Sequence, residues 1–144
     1  MIFVPMLPVH LDGFELQDGQ AEMKDWIKMD GYADMVIAAG AAYTCISNDQ
    51  VKAMGGLAEQ GDGRALVWAL IGKNLTGFEF VRFTKKCKQI VDEATHRRLE
   101  IIVKDGFVQG HRWAKALGFM CETPNGMLNW FEDNTKAYLY AKVK

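Results

Sequence analysis

A loop of small and basic residues follows the most apolar segment of the chain and has the residue types that bind phosphate. Gly72, Lys73, Thr76 and Gly77 stand directly before a helical pattern. Free backbone amides at the start of a helix, the helix dipole and a lysine charge together favour an anion. A purely structural interpretation is also open, because Thr76 and Glu79 have the spacing of a capping box, which would place the glutamate at the positive end of the helix. The residues alone are compatible with a phosphate-binding loop and with a helix cap.

A histidine in the second half of the chain offers a different chemistry. His111 lies in a helical pattern that ends at Gly118, and an imidazole titrates near neutral pH, so it can act as a general base toward an amine. The alternative is that His111 packs under a sheet from one face of its helix. The other histidines and the cysteines are too scattered to form a zinc site or a disulfide framework, which predicts a reducing, cytoplasmic location: His10, His96, Cys45, Cys87 and Cys121.

Length and charge restrict the classes of protein further. A chain of 144 residues predicts a single domain over 1–144 with a core of its own. Lysine plus arginine number 17 and aspartate plus glutamate 18, a net charge of −1. This balance argues against a nucleic-acid partner and against a basic membrane-surface protein. No segment approaches the roughly 20 apolar residues that cross a bilayer, so we expect a soluble protein.

Periodicity predicts the elements that position these residues. The strongest helical pattern runs from Phe80 to Ala94, with Thr76 and Glu79 at its start. The uninterrupted apolar segment Leu66–Ile71 predicts a central strand, parallel to Leu99–Val103. The remaining predicted elements are an edge strand Phe3–Leu11, a helix from about Ala21 capped by Asp18, a short helix Tyr32–Ala39, strands Ala42–Ser47 and Val51–Leu57, a helix Phe107–Leu117, and strands Phe119–Glu122, Met127–Phe131 and Ala137–Val143. This order predicts an α+β (mixed α/β) domain, one mostly antiparallel mixed sheet with helices on both faces.

The segment Arg112–Phe119, a helix that ends in a Gly-Phe pair before the next strand, resembles the GNAT fold of acyl-CoA-dependent N-acyltransferases. The strand Leu66–Ile71 and the capped helix after it are similar to the strand, loop and helix that hold coenzyme A in that family. The resemblance implies acetyl-CoA as cofactor and transfer of an acyl group to a small amine or a host protein. It also implies a backbone site for pantetheine and a loop site for pyrophosphate, formed by Ala69, Leu70, Ile71, Gly72, Lys73, Asn74, Thr76, Gly77 and Phe78.

The small size and the basic central helix also resemble small GNAT-like proteins of short-tailed phages. Two features depart from the enzymes of the family. The loop lacks their glycine pattern, and Ala114 stands where they have a tyrosine acid, so His111 or a water would have to move the proton. We therefore expect weak or undetectable acetyl-CoA binding, in a partly filled cleft between diverging strands. The alternative function is a catalytically silent GNAT-fold interaction or virion-assembly protein.

Overall fold

A computed structural model describes residues 1–144, which form seven strands, three α-helices and three short 3-10 helices. The strands are β1 (Ile2–Pro5), β2 (Ala42–Ser47), β3 (Gln50–Gly61), β4 (Arg64–Ile71), β5 (Arg98–Lys104), β6 (Met120–Cys121) and β7 (Ala137–Val143). The α-helices are α1 (Tyr32–Ala38), α2 (Gly77–Glu93) and α3 (Val108–Ala116), and the 3-10 helices are Pro8–Leu11, Asp18–Met23 and Trp26–Lys28. None of the helices combines the length and the apolar character needed to cross a membrane.

The strands form one mixed sheet in the order β1-β2-β3-β4-β5-β7-β6, so β4 is its central strand. β4 and β5 pair in parallel, whereas β1 with β2, β2 with β3, β5 with β7 and β6 with β7 pair antiparallel. The predicted fold class, the central position of β4 and its parallel pairing with β5 are confirmed.

Tight turns join the antiparallel strands, and their sequences explain them. Asn48 and Asp49 connect β2 to β3 with φ of 53° and 58°, a left-handed conformation that Asn and Asp tolerate better than most residues. Asp62 and Gly63 connect β3 to β4 with φ of 55° and 74°, and Gly61, which ends β3, has a φ of 85°. The two glycines adopt this conformation at no steric cost.

The chain divides into two compact units, of which the first comprises Met1–Glu59 and Val67–Phe83. The chain from the first 3-10 helix to α1 packs its apolar side chains against β4. Leu16, Ile27, Tyr32 and Leu70 form one buried cluster, with Leu11, Phe14, Met23, Val36 and Trp68 packed against it. The segment between β1 and α1 is therefore fixed by its apolar side chains, although it contains no long helix.

The second unit comprises Gln60–Leu66 and Thr84–Lys144. Its central pairing is β5 with β7, aligned from Arg98↔Val143 to Lys104↔Ala137. Helix α3 contacts β5, and its Ala114 is fully buried. Gly118, with φ of 91°, ends the helical chain segment as predicted.

Four predicted elements are shorter than expected or of another type, and the strand predicted over Val51–Leu57 extends further, as β3 from Gln50 to Gly61. The first strand ends at Pro5 rather than Leu11, because the chain enters a 3-10 helix at Pro8. The predicted helix from Ala21 is a 3-10 segment interrupted at Gln20, whose φ of −115° and ψ of 26° are not helical.

In the C-terminal part, the strand Phe119–Glu122 shrinks to Met120–Cys121. The predicted strand Met127–Phe131 is reduced to one bridge between Met127 and Ala137. Asn129 has a φ of 52°, which is incompatible with extended backbone there.

Candidate functional site

In its second half, β4 has an edge that points away from β3 and is not paired with β5. We call this edge, which carries backbone groups of Ala69 and Ile71, the outer edge of β4. The pairing with β5 covers Arg64–Leu66 against Arg98–Glu100. Backbone groups of successive strand residues point alternately to the two sides. Since the Gly72 N–H donates to the Lys52 carbonyl of β3 at 2.9 Å, the backbone groups of Ala69 and Ile71, which have the opposite parity, point to the outer edge.

The side chain of Gln20 occupies this outer edge. Its Nε2 donates to the Ala69 carbonyl oxygen at 2.7 Å, and its Oε1 accepts from the Ile71 N–H at 2.8 Å. A third hydrogen bond, from Gln17 Nε2 at 3.1 Å, orients Gln20 Oε1. One primary amide thus makes the two hydrogen bonds that a peptide group of a neighbouring strand would make.

The backbone just before Gln20 continues this arrangement past the end of β4. The Gln17 N–H donates to the Ile71 carbonyl at 2.8 Å, and the Lys73 N–H donates to the Glu15 carbonyl at 2.9 Å. These bonds flank an antiparallel bridge between Leu16 and Gly72. Leu16 is 8% exposed and belongs to the core, so the segment is anchored by burial as well as by hydrogen bonds.

The loop after β4 is folded closely onto β3. Gly72 has no room for a side chain, since a Cβ would lie 2.7 Å from the Lys52 carbonyl oxygen and 2.6 Å from Asn74 Oδ1. The Leu75 N–H donates to the Gly72 carbonyl at 3.2 Å. Asn74 donates to the Val51 carbonyl at 3.3 Å. The chain's own acceptors therefore use the amides of Gly72, Lys73 and Leu75.

Helix α2 begins with the predicted capping box, which is confirmed. The Thr76 N–H donates to Glu79 Oε1 at 3.0 Å, and the Glu79 N–H donates to Thr76 Oγ1 at 3.2 Å. Gly77 and Phe78 follow in the exposed first turn, where a helix offers no acceptor for its amides. These two N–H groups and the exposed Lys73 ammonium, 3.5 Å from Asp18, are what the loop can offer to an anion.

A buried ion pair lies beneath this helix start. Lys52 Nζ is 3.4 Å from Glu79 Oε1, and the two side chains are 7% and 10% exposed. Lys52 Nζ also donates to the Asn74 carbonyl at 2.9 Å. The Thr76 N–H, followed by other hydrogen bonds, lowers the pKa of Glu79 to about 2. The carboxylate is therefore ionised at neutral pH and takes the position at the helix N-terminus that would otherwise attract an external anion.

His111 lies in the second unit, between two tyrosines of β7. Its Nδ1 shares a 2.7 Å hydrogen bond with the Tyr140 hydroxyl, and its ring makes edge contacts with Tyr138 and Tyr140 at centroid distances of 5.1 and 5.6 Å. Burial raises the pKa of Tyr140, so its phenol stays protonated at neutral pH. The imidazole is thus oriented by a neutral hydroxyl group, an arrangement that suits either packing or proton transfer.

No protein-family model and no curated protein matches this sequence. Solved structures do match. An N-acetyltransferase from Staphylococcus aureus Mu50 superposes with a TM-score of 0.71 at 9% identity, over 99% of this chain and 96% of that one. A point mutant of the spermidine N-acetyltransferase SpeG from Vibrio cholerae gives 0.71 at 8% identity, over 99% and 95%. The chain has the GNAT acetyltransferase fold. An aminoglycoside 6'-acetyltransferase type Ii gives 0.68 at 14% identity, over 99% and 97%.

Within this GNAT fold, the residues singled out in the sequence fall into two groups. Ala69, Leu70 and Ile71 and the loop residues 72–78 belong to the first unit, whereas His111 belongs to the second. Ala114, where the sequence resemblance leads one to expect a tyrosine acid, is fully buried and has no side-chain group that can transfer a proton.

Two residues of the site were missed in the sequence, Gln20 and Lys52. Gln20 stands 49 and 51 residues from its β4 partners, and no local pattern connects them. Lys52 begins a run of three consecutive buried residues in β3, and nothing near it in sequence indicates a buried charge.

Proposed function

We propose that this protein is an acyl-CoA-dependent N-acyltransferase that acts on small, positively charged amines. The observation that carries the proposal is the outer edge of β4, where the Ala69 carbonyl and the Ile71 N–H engage an amide that does not belong to a strand. One acceptor and one donor at that spacing are what a secondary amide needs, and the pantetheine arm of coenzyme A contains two such amides. The edge therefore fits this part of the cofactor, which supplies an activated acyl thioester when bound.

The loop fits the pyrophosphate less well. Amide groups that would bind it are used within the chain, and the ionised Glu79 lies at the helix start. Two lost hydrogen bonds to a charged group, at about 1.5–3 kcal/mol each, change a micromolar Kd to roughly millimolar. Lys73, Gly77 and Phe78 are left to hold the phosphates. We expect acetyl-CoA to bind with a Kd of about 0.1–1 mM, an estimate from the same free energies.

The charge of the segment that borders the β4 edge supports a cationic acceptor. Residues 12–34 contain seven acidic side chains and only two lysines, although the whole chain is nearly neutral. Six of the seven are exposed, so the segment creates a negative potential that attracts amines. Spermidine and aminoglycosides, the amines named for two of the matching structures, both carry several positive charges at neutral pH. For the proton that the attacking amine releases, we assign His111 as the acceptor, oriented by Tyr140.

The test is a calorimetric titration of acetyl-CoA combined with a thiol-release assay on spermidine and an aminoglycoside. We expect binding in the stated range and acetyl-dependent thiol release. Lys73→Ala should weaken acetyl-CoA binding about fivefold, since an exposed charge contact is worth about 1 kcal/mol. Lys24→Ala, at an exposed lysine beside a 3-10 segment, is the matched control and should leave acetyl-CoA binding unchanged. No heat and no thiol release at millimolar acetyl-CoA would refute the proposal.

A catalytically silent GNAT-fold interaction protein is the second candidate. The observation that favours it is the capping box, which fills the helix N-terminus with Glu79 instead of leaving it to a ligand. This function predicts neither acetyl-CoA binding nor thiol release, together with a stable complex with another protein, such as a host or virion component. The titration described above therefore decides between the two candidates.

A further inference from the structure

We propose that the side-chain amide of Gln20 is an internal competitor for the outer edge of β4, so that acyl-CoA binds only when Gln20 swings away. This inference rests on the proposed function, because it concerns the same edge. It assigns to Gln20 a role that none of the sequence patterns indicates, namely to set the affinity of the protein for its cofactor.

The hydrogen-bond geometry carries the first step. Gln20 uses both ends of its amide on one strand edge, Nε2 on the Ala69 carbonyl and Oε1 on the Ile71 N–H, at 2.7 and 2.8 Å. These are good hydrogen-bond lengths. An external amide that pairs with the same two backbone groups must displace the side chain, since the Ile71 N–H can serve only one acceptor well.

The surroundings of Gln20 show that its side chain can leave without unfolding the segment. Its neighbours Gly19 and Ala21 are exposed, whereas the burial that anchors the segment is provided by Leu16 and Ile27, each 8% exposed. The Gln17 N–H keeps its own bond to the Ile71 carbonyl. Release of the Ala69 carbonyl and the Ile71 N–H therefore requires movement of the Gln20 side chain and leaves these anchors of the segment in place.

Each neutral hydrogen bond contributes about 0.5–1.5 kcal/mol net, so removing the two bonds of the competitor should tighten cofactor binding roughly 5-fold to 150-fold. The variant is Gln20→Ala, with Lys24→Ala as the matched control outside the contact. Calorimetry with acetyl-CoA gives the Kd, and amide hydrogen exchange of Ile71 in the free proteins reports whether the Gln20 contact exists in solution.

We expect Gln20→Ala to bind acetyl-CoA roughly 5-fold to 150-fold more tightly and to exchange the Ile71 amide faster, with the control like the wild type. Gln20→Glu is the second variant, in case the alanine variant folds poorly. Its carboxylate keeps an acceptor for Ile71 but repels the Ala69 carbonyl, so it should tighten binding by a smaller factor. Equal or weaker binding by both variants, with measurable wild-type binding, overturns the inference and leaves the proposed function standing. Absence of acetyl-CoA binding in all four proteins overturns the proposed function and the inference with it.

Discussion

Replacing Glu79 by glutamine tests whether the buried ion pair beneath the start of α2 stabilises the protein. Glutamine keeps the shape of the side chain and an oxygen that accepts from the Thr76 N–H. It removes the negative charge 3.4 Å from Lys52 Nζ. The Lys52 ammonium then remains almost fully buried, with only neutral oxygens such as the Asn74 carbonyl to accept its hydrogen bonds.

The expected cost follows from this geometry. Removing one partner of a buried ion pair costs about 3–5 kcal/mol, because the other charge stays desolvated. Since the Asn74 carbonyl still solvates Lys52, we expect the lower end, about 3 kcal/mol of the free energy of unfolding. The double variant Lys52→Met/Glu79→Gln removes the stranded charge as well and should recover a large part of this loss.

Urea unfolding at several pH values measures both effects. The carboxyl pKa is lowered from 4.5 to about 2 by the Thr76 N–H and the other hydrogen bonds to Glu79. A carboxyl with a lowered folded pKa stabilises fully above its unfolded pKa, and this contribution is lost as the pH falls from about 4.5 toward 2. The free energy of unfolding of Glu79→Gln should therefore fall less steeply than that of the wild type as the pH is lowered through this acid range. Two results would refute this account. One is a decrease in the free energy of unfolding below about 1 kcal/mol at pH 7, the size of a surface contact; the other is a pH dependence below pH 4.5 identical to that of the wild type.

Three further predictions follow from other parts of the structure. His111→Ala should lower turnover by roughly 10²–10⁴-fold, and an unchanged rate in the thiol-release assay would return His111 to a packing role. Gly72→Ala should lower the free energy of unfolding by about 1–3 kcal/mol, because a Cβ would meet the Lys52 carbonyl at 2.7 Å; an unchanged urea midpoint would contradict the close approach. The KM for spermidine should rise with ionic strength, since the acidic segment attracts a polycation through a screened potential, and a KM independent of salt would remove that segment from substrate recognition.

The sequence was informative wherever a local rule determines the structure. The Thr76–Glu79 spacing predicted the start of α2, and the apolar run before it predicted the central strand. The first is a contact between residues close together in the chain, and the second is an apolar composition that can be read over a few consecutive residues. The 3-10 region between β1 and α1 was predicted less well, because its conformation is imposed by burial of Leu16 and Ile27 rather than by periodicity.

In the candidate site, too, the sequence does not reveal contacts between residues far apart in the chain. Loop residues 72–78 were identified from their types, but whether their amides are free depends on where the Glu15 carbonyl and the Lys52 carbonyl lie. Those carbonyl groups come from distant segments, and the loop sequence does not indicate their positions. Competition by Gln20 likewise depends on a contact across 49 residues, which residue spacing cannot predict.

The two margins of the sheet have a consequence for how this chain behaves among its own copies. At one margin β1 is four residues long and contains Pro5, which has no N–H to give to another strand. At the other margin β6 has only two residues, and the Glu122 and Met127 amides already donate to carbonyls of β7. A neighbouring molecule thus finds few consecutive free donors and acceptors at either border. Growth of the sheet from one chain to the next, the first step toward fibrous aggregates, is therefore disfavoured.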